Sequence, residues 1–443
     1  MLSALRQFSK LAALCATGVL SVTFPATAEV SMSADLGAEV IQSEDNGSVY
    51  LRLSLKAIKR LQEKQRAPVN IALVLDRSGS MRGDRIAAAK DAAQIALDRL
   101  SRGDVASVVA YNNKVATLQA ATRLTKFSRL KDRIEELTAQ GGTALYAGVV
   151  EGGRQVREFR ASDKVSRVIL LSDGQANIGP SSPEELGDLG RKLGAEGISV
   201  TTIGLGLQYN EDLMSKLALA SDGNHAFAET PEDLIKIFNS EFGDVLSVVA
   251  TDIIINIECR PGFKPKRVFG RDAKIDGNRI QLKLNQLYAA QEKYLIVELD
   301  GSPVGTTGLA DIAEVDIDYL NLETKKRRGF NKKVQAEVSS DKSKAKASVN
   351  KSVMSQVATQ IATERYKRAV VQRDKGDIAG ARKILESNAA YLRDKAQEYS
   401  APNLAEFEKK NRTKAGQLDA KNWAKTRKSM RHDQFKYGAQ QSY

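Results

Sequence analysis

The stretch Val69-Asn70-Ile71-Ala72-Leu73-Val74-Leu75-Asp76-Arg77-Ser78-Gly79-Ser80-Met81 decides the fold. Its first half is a nearly continuous apolar run, as expected of a strand covered on both faces in a parallel sheet. It ends in three oxygen-bearing side chains at alternate positions, Asp76, Ser78 and Ser80, in a loop that contains glycine. Downstream, helical periodicity alternates with short apolar runs. Asp84 is placed to cap a helix to Leu100, with Ile86, Ala89, Ala93, Leu97 and Leu100 on one face. Strands are expected at 105–111, 115–118, 167–171, 198–203 and 224–228. Helices are expected from Ser128 to Leu137, from Thr143 to about Phe159, after Pro183, at 211–220 and from Pro231 to about Val245. This alternation predicts an α/β fold, a doubly wound and mostly parallel sheet with helices on both faces.

Outside this unit the pattern changes. Residues 48–56 alternate, with Val49, Leu51, Leu53 and Leu55 opposing Tyr50, Arg52, Ser54 and Lys56, as in a half-buried strand. From Ala250 the chain reads as all-β, with alternation at 252–258, 294–299 and 312–320 and a hairpin signal at Asp276-Gly277-Asn278. This predicts a β-sandwich-like domain, and the lone strand at 48–56 is expected to pair with it. The predicted organisation is then a signal segment at 1–28, an N-terminal strand segment at 29–66 and the α/β domain at 67–248. A β-rich domain at 249–338, a polar linker at 339–350, a helical hairpin region at 351–400 and a flexible basic tail at 401–443 follow.

Three segments carry the chemistry. Asp76-x-Ser78-x-Ser80 ends the first strand of the α/β unit, Ser172-Asp173-Gly174 ends another, and Gly141-Gly142-Thr143 stands at a helix start between them. Ligands of open parallel sheets collect beyond the carboxyl ends of the strands, an edge all three segments can reach. Two carboxylates and three hydroxyls are hard oxygen donors, which suit magnesium, manganese or calcium rather than zinc or copper. Hydroxyl ligands are neutral and quench little of a cation's charge. Such a centre stays electrophilic and open to a further carboxylate.

In order and strand context these residues resemble the metal-ion-dependent adhesion site of von Willebrand factor type A (VWA) domains, over about residues 69–248. The resemblance implies that Ser78, Ser80 and Thr143 ligate a divalent cation directly, with Asp76 and Asp173 in support. It implies magnesium first, with manganese and calcium as alternatives. It further implies a protein ligand that offers an Asp or Glu carboxylate. The whole arrangement is similar to bacterial secreted VWA proteins. These in turn resemble the VWA portions of calcium-activated chloride-channel regulators and inter-alpha-trypsin-inhibitor heavy chains.

Composition narrows the classes. Hydrophobic and charged fractions of 42% and 27% are globular values, excluding a collagen-like or wholly disordered chain. The 443 residues exceed one ordinary core. Arg6 and Lys10, an apolar stretch from Leu11 to Phe24 and Ala26-Thr27-Ala28 read as an export signal with its cleavage site, implying a periplasmic or extracellular protein. With Cys15 in that signal, Cys259 is left alone in the mature chain, so an intramolecular disulfide is excluded there. The formal net charge is +13. Residues 401–443 hold ten Lys or Arg against four acids, and residues 325–351 ten against two. Such blocks suit contact with an anionic surface, with a solvated basic segment as the plainer reading; nucleic acid is not the expected partner.

No phosphate-cradling loop, H-E-x-x-H or G-x-S-x-G motif is present. His225 and His432 are the only histidines, so common acid–base and nucleophilic catalysis have few candidates. His225 reads as a surface or packed residue. Arg82-Gly83-Asp84 and Arg102-Gly103-Asp104 read as turn and capping sequences rather than adhesion tripeptides. The expectation is a non-enzymatic, metal-dependent binding protein. The alternatives are a metal-assisted hydrolase and a basic scaffold with an incidental VWA unit.

Overall fold

A computed structural model describes residues 30–43, 47–58, 66–123, 128–301 and 307–442. The expected signal segment lies outside the described residues, as does most of 58–65. Strands β1 (Val30–Leu36), β2 (Val40–Gln42) and β3 (Ser48–Ala57) come first. The α/β domain follows, from β4 (Val69–Asp76) to α6 (Pro231–Leu246). Every residue of β4 is buried. Its alternate side chains split between two cores. Ile71, Leu73 and Leu75 face one core. Ala72 and Val74 face the other.

The remaining elements of this domain are α1 (Asp84–Asp98), β5 (Val105–Tyr111), β6 (Val115–Arg123), α2 (Ser128–Glu135), α3 (Leu145–Glu158), β7 (Val165–Ser172), α4 (Pro183–Ala195), β8 (Ile198–Leu205), α5 (Glu211–Ala220) and β9 (His225–Ala228). The sheet order is β6-β5-β4-β7-β8-β9, parallel except where β6 runs antiparallel to β5. Helices α1 and α6 cover one face; α3, α4 and α5 cover the other. Ala88, Ala89, Ala92, Ala93 and Ala96 line the buried side of α1, small enough for a close approach to the sheet. The cap of α1 is Gly83, at φ +77°, rather than Asp84, which is the first helical residue. Helix α3 starts at Leu145, so Thr143 stays in the preceding extended loop. Ser182, just before Pro183, forms a capping box on α4 with Glu185 in the first turn.

Two sheets pack as a sandwich beyond this domain. Their strands are β10 (Val248–Cys259), β11 (Phe263–Val268), β12 (Lys274–Asp276), β13 (Arg279–Tyr288), β14 (Glu292–Gly301), β15 (Gly308–Asn321) and β16 (Lys326–Ser339). One sheet runs β1-β3-β14-β11, the other β12-β13-β10-β15-β16-β2. Strand β3 pairs antiparallel with β14, setting Leu53 opposite Leu295. The α/β domain is therefore inserted between two strands of the sandwich. The basic stretch from Lys326 is an ordered strand, because Val334, Ala336 and Val338 alternate into the core behind its lysines and arginines. Cys259 is buried at the end of β10, and burial pushes its thiol up to about 11.

Two further expectations need correction. The polar linker holds a short helix, α7 (Lys342–Ala347), because Asp341 caps it through the backbone N–H groups of Ser343 and Lys344. The basic tail is folded. After the hairpin of α8 (Lys351–Asp374) and α9 (Ile378–Tyr399) come α10 (Pro402–Ala415) and α11 (Ala420–Gly438). Leu404, Phe407, Leu418 and Met430, thinly spread among lysines, close one core with Ala362, Tyr366 and Leu385. Much of the basic charge is used internally. Arg427 pairs with Glu211, Asp212 and Asp374, and Lys428 with Glu211. The chain then adds β17 (Gln441–Ser442) to the edge of β14. Among the described residues, no helix is long and apolar enough to cross a membrane.

Candidate metal centre

The carboxyl ends of β4 and β7 bring Asp76 and Asp173 side by side, both wholly buried. The Asp76 carboxylate accepts the backbone N–H of Ser78 at 2.7 Å and the Ser172 hydroxyl at 2.5 Å. These bonds fold the loop back on the strand end and start the single tight turn Gly79–Met81. Burial pushes the Asp76 carboxyl up to about 6, even though the Ser172 and Ser78 bonds pull it down; the nearby Asp173 charge adds to the rise. The Tyr111 hydroxyl, wholly buried close by, is held protonated by burial first and by the Asp76 charge second.

Ser78 and Ser80 stand with hydroxyls 3.0 Å apart, and the Ser80 hydroxyl donates to Asp173 Oδ1 at 2.7 Å. With its proton committed, Ser80 turns its lone pairs the other way. Thr143 comes from a loop tied down on several sides. The Gly79 N–H donates to the Gly141 carbonyl at 2.8 Å, and the Gln140 N–H to the Arg77 carbonyl at 2.8 Å. The Thr143 N–H donates to Asn177 Oδ1 at 2.8 Å, and the Gly142 N–H donates to Asn113. Gly141 sits at φ +80°, which favours glycine there.

Gly174 reveals where the hydroxyls converge. A Cβ at that position would lie 3.2 Å from Thr143 Oγ1, 3.3 Å from Ser80 Oγ and 3.7 Å from Ser78 Oγ. Glycine leaves this point open, and three neutral oxygens surround it with two carboxylates behind. All five residues read from the sequence come together. The donors fit a hard divalent cation: Ser78, Ser80 and Thr143 would touch it, Asp173 would hold the Ser80 hydroxyl, Asp76 would hold the loop at Ser78, and both carboxylates would balance charge. Among the described residues, no three His, Cys, Asp or Glu side chains gather as a metal-ligating group.

Two neighbours were missed in the sequence. Ser172, directly before Asp173, fixes Asp76; its place in the quoted segment was the available signal. Arg85 places its guanidinium 2.5 Å from Asp173 Oδ2 and 3.3 Å from the Ser80 carbonyl. No local pattern marks an arginine in the first turn of a helix as a site residue. The other motifs are structural. Asp104 takes the N–H groups of Val69 and Ser101 at 2.9 and 2.7 Å. His225 is buried against Tyr209 and Phe435, and burial pushes its imidazole down to about 3, so it stays neutral.

A model of the von Willebrand factor type A domain family matches residues 70–240. The chain is 27% identical over 275 residues to "Uncharacterized protein sll0103" of Synechocystis sp., across 60% of this chain and 63% of that one. It is 27% identical over 171 residues to inter-alpha-trypsin inhibitor heavy chain H3 of Pongo abelii, across 36% and 19% respectively. The match thus spans less than two thirds of the length of these relatives. Among solved structures, a von Willebrand factor type A protein from Catenulispora acidiphila superposes with a TM-score of 0.70 at 16% identity, over 85% of this chain and 89% of that one. The ArnB paralog VWA2 from Sulfolobus acidocaldarius gives 0.63 at 16% identity, over 93% and 99%. At such identity these likenesses speak to fold, and they extend past the α/β domain into the sandwich and the helical region. Sheet order, family model and structural neighbours agree, and residues 70–240 of this chain are a von Willebrand factor type A domain.

Proposed function

We propose that this is an exported, non-enzymatic binding protein whose VWA domain takes up a divalent cation and grips a partner protein through it. The observation that carries this reading is the convergence of the Ser78, Ser80 and Thr143 hydroxyls beside Gly174. Magnesium is the cation proposed, with manganese and calcium as alternatives. Bound there, the cation would supply a Lewis-acidic position that an Asp or Glu carboxylate of the partner completes. Both carboxylates are engaged with serines of the site itself, which fits a supporting role for them. Export rests on the signal-like residues 1–28.

The test is calorimetric titration of chelator-stripped protein with magnesium, manganese and calcium, alongside Asp76→Ala and Thr143→Ala. Saturable binding by the wild type and its loss in both folded variants is the expected result. Partner capture that persists in metal-free variants would remove the carboxylate mechanism. The reading of the C-terminal stretch as a free basic arm on an anionic surface has less support. Arg427, Lys428 and Arg431 are paired with Glu211 and Asp212 of the VWA domain.

A further inference from the structure

We infer that Arg85 is a resident counter-ion of the metal centre, competing with the cation for Asp173 and thereby lowering its affinity. The inference rests on the proposed metal site. Asp173 is wholly buried, and its two oxygens have different partners: Oδ1 accepts the Ser80 hydroxyl, and Oδ2 is ion-paired with Arg85 at 2.5 Å. The same Arg85 nitrogen also donates to the Ser80 carbonyl at 3.3 Å. On its other side the guanidinium lies against Gly206, where an added Cβ would approach it to 3.4 Å. Arg85 is therefore held on the centre from the first turn of α1, two attachments on one side and a glycine backbone on the other.

The electrostatic consequence is direct. Asp76 and Asp173 offer two negative charges to a cation, and Arg85 cancels one before the cation arrives. Asp173 reaches the proposed cation position through Ser80, the serine whose carbonyl Arg85 also contacts. An entering divalent ion meets a fixed positive charge one carboxylate away, beside the wholly buried Asp173, while the exposed part of the Arg85 side chain lets water screen part of that repulsion. The centre is thus weak for metal alone and left with positive charge once loaded, which favours an anionic third party over simple metal storage. Arginine suits this part because it does not lose its charge at any ordinary pH.

The experiment is titration of the chelator-stripped full chain with manganese alone, read by the loss of the free-ion paramagnetic signal. Wild type, Arg85→Gln, Arg85→Lys and Thr143→Ala are compared. Arg85→Gln should bind manganese about tenfold more tightly, a change of about 1.4 kcal/mol, and Arg85→Lys should stay near wild type. Glutamine leaves Asp173 without its counter-charge, so the variant is also melted with and without manganese. The ion should raise its melting temperature more than that of the wild type. Equal or weaker manganese binding by a folded Arg85→Gln, with wild-type binding intact and abolished in Thr143→Ala, overturns the role of Arg85 alone. Absence of binding in every form, Arg85→Gln included, overturns the metal reading and this inference with it.

Discussion

The Asp222 carboxylate and the Lys293 ammonium meet at 2.9 Å inside the protein, where three parts of the chain join. Asp222 ends the turn after α5 at φ +52°, and Lys293 lies on β14. Arg271 approaches the same carboxylate at 2.7 Å and donates to the Ala439 carbonyl, while the Asn285 N–H donates to it at 2.8 Å. Burial alone would raise the Asp222 carboxyl; Lys293 and Arg271 outweigh it and hold the group at about 2. Burial in turn pulls the Lys293 ammonium down to about 8, against the opposing pull of Asp222.

Asp222→Ala should therefore destabilise the protein by about 3 to 5 kcal/mol, because it leaves two buried cations facing each other. Chemical denaturation of the variant checks this. A loss below about 1 kcal/mol would mean that water reaches the junction and solvates the orphaned charges.

Gly174→Ala tests the cradle without touching a ligand. The new methyl would occupy the space the three hydroxyls share. Manganese affinity should fall at least tenfold, about 1.4 kcal/mol, while the melting temperature without metal changes little. Unaltered affinity would place the cation elsewhere.

Glu211 should anchor α11. It takes the Lys428 ammonium at 2.6 Å and a further bond from Arg427. Glu211→Ala strands a buried lysine, whose ammonium burial already pulls down. Trypsin should then cut between residues 425 and 431 markedly faster than in the wild type, ahead of any cut in the sandwich. An unchanged digestion pattern would show that apolar packing alone holds the helix.

Glu241, on α6, should give stability a pH dependence of its own. Burial pushes its carboxyl up to about 7, against a hydrogen bond from Asn224 and the charge of Arg167. The folded state therefore holds this proton more tightly than the unfolded chain, whose glutamates titrate near 4.3. The contribution is fully present below that value and is lost as pH rises towards 7, about 4 kcal/mol in all. Glu241→Gln should remove this slope, so the two proteins differ most in stability near neutral pH. Parallel pH–stability curves would contradict the shift.

The parallel sheet was legible because its central strands β4, β5, β7 and β8 are buried on both faces and read as largely apolar runs. The site was legible for a related reason: its ligand types recur at strand ends, where the topology must gather them. The sandwich partner of Ser48–Ala57 could be sought because its alternation found no parallel neighbour. The C-terminal region was not legible. Its core positions, such as Leu404, Phe407, Leu418 and Met430, are separated by charged residues. Its net charge suggested a solvated arm, yet Arg427, Lys428 and Arg431 face acids more than two hundred residues earlier in the chain, Glu211 and Asp212. Arg85 was hidden for the same reason, since its partner Asp173 is eighty-eight positions away.

The insertion of the VWA domain between β3 and β10 has a mechanical consequence. The proposed gripping point lies beyond the carboxyl ends of the central strands. The opposite end of that sheet rests on the sandwich, where Arg167 reaches Tyr288 and Thr251 reaches Ser162. The sandwich strands that flank the domain in sequence belong to different sheets, β3 to one and β10 to the other. Tension applied by a partner would run lengthwise down β4 and β7 and divide between the two sheets. Hydrogen-bonded ladders loaded along their strands slip all at once rather than unzip pair by pair, a geometry that would suit the proposed grip on a partner.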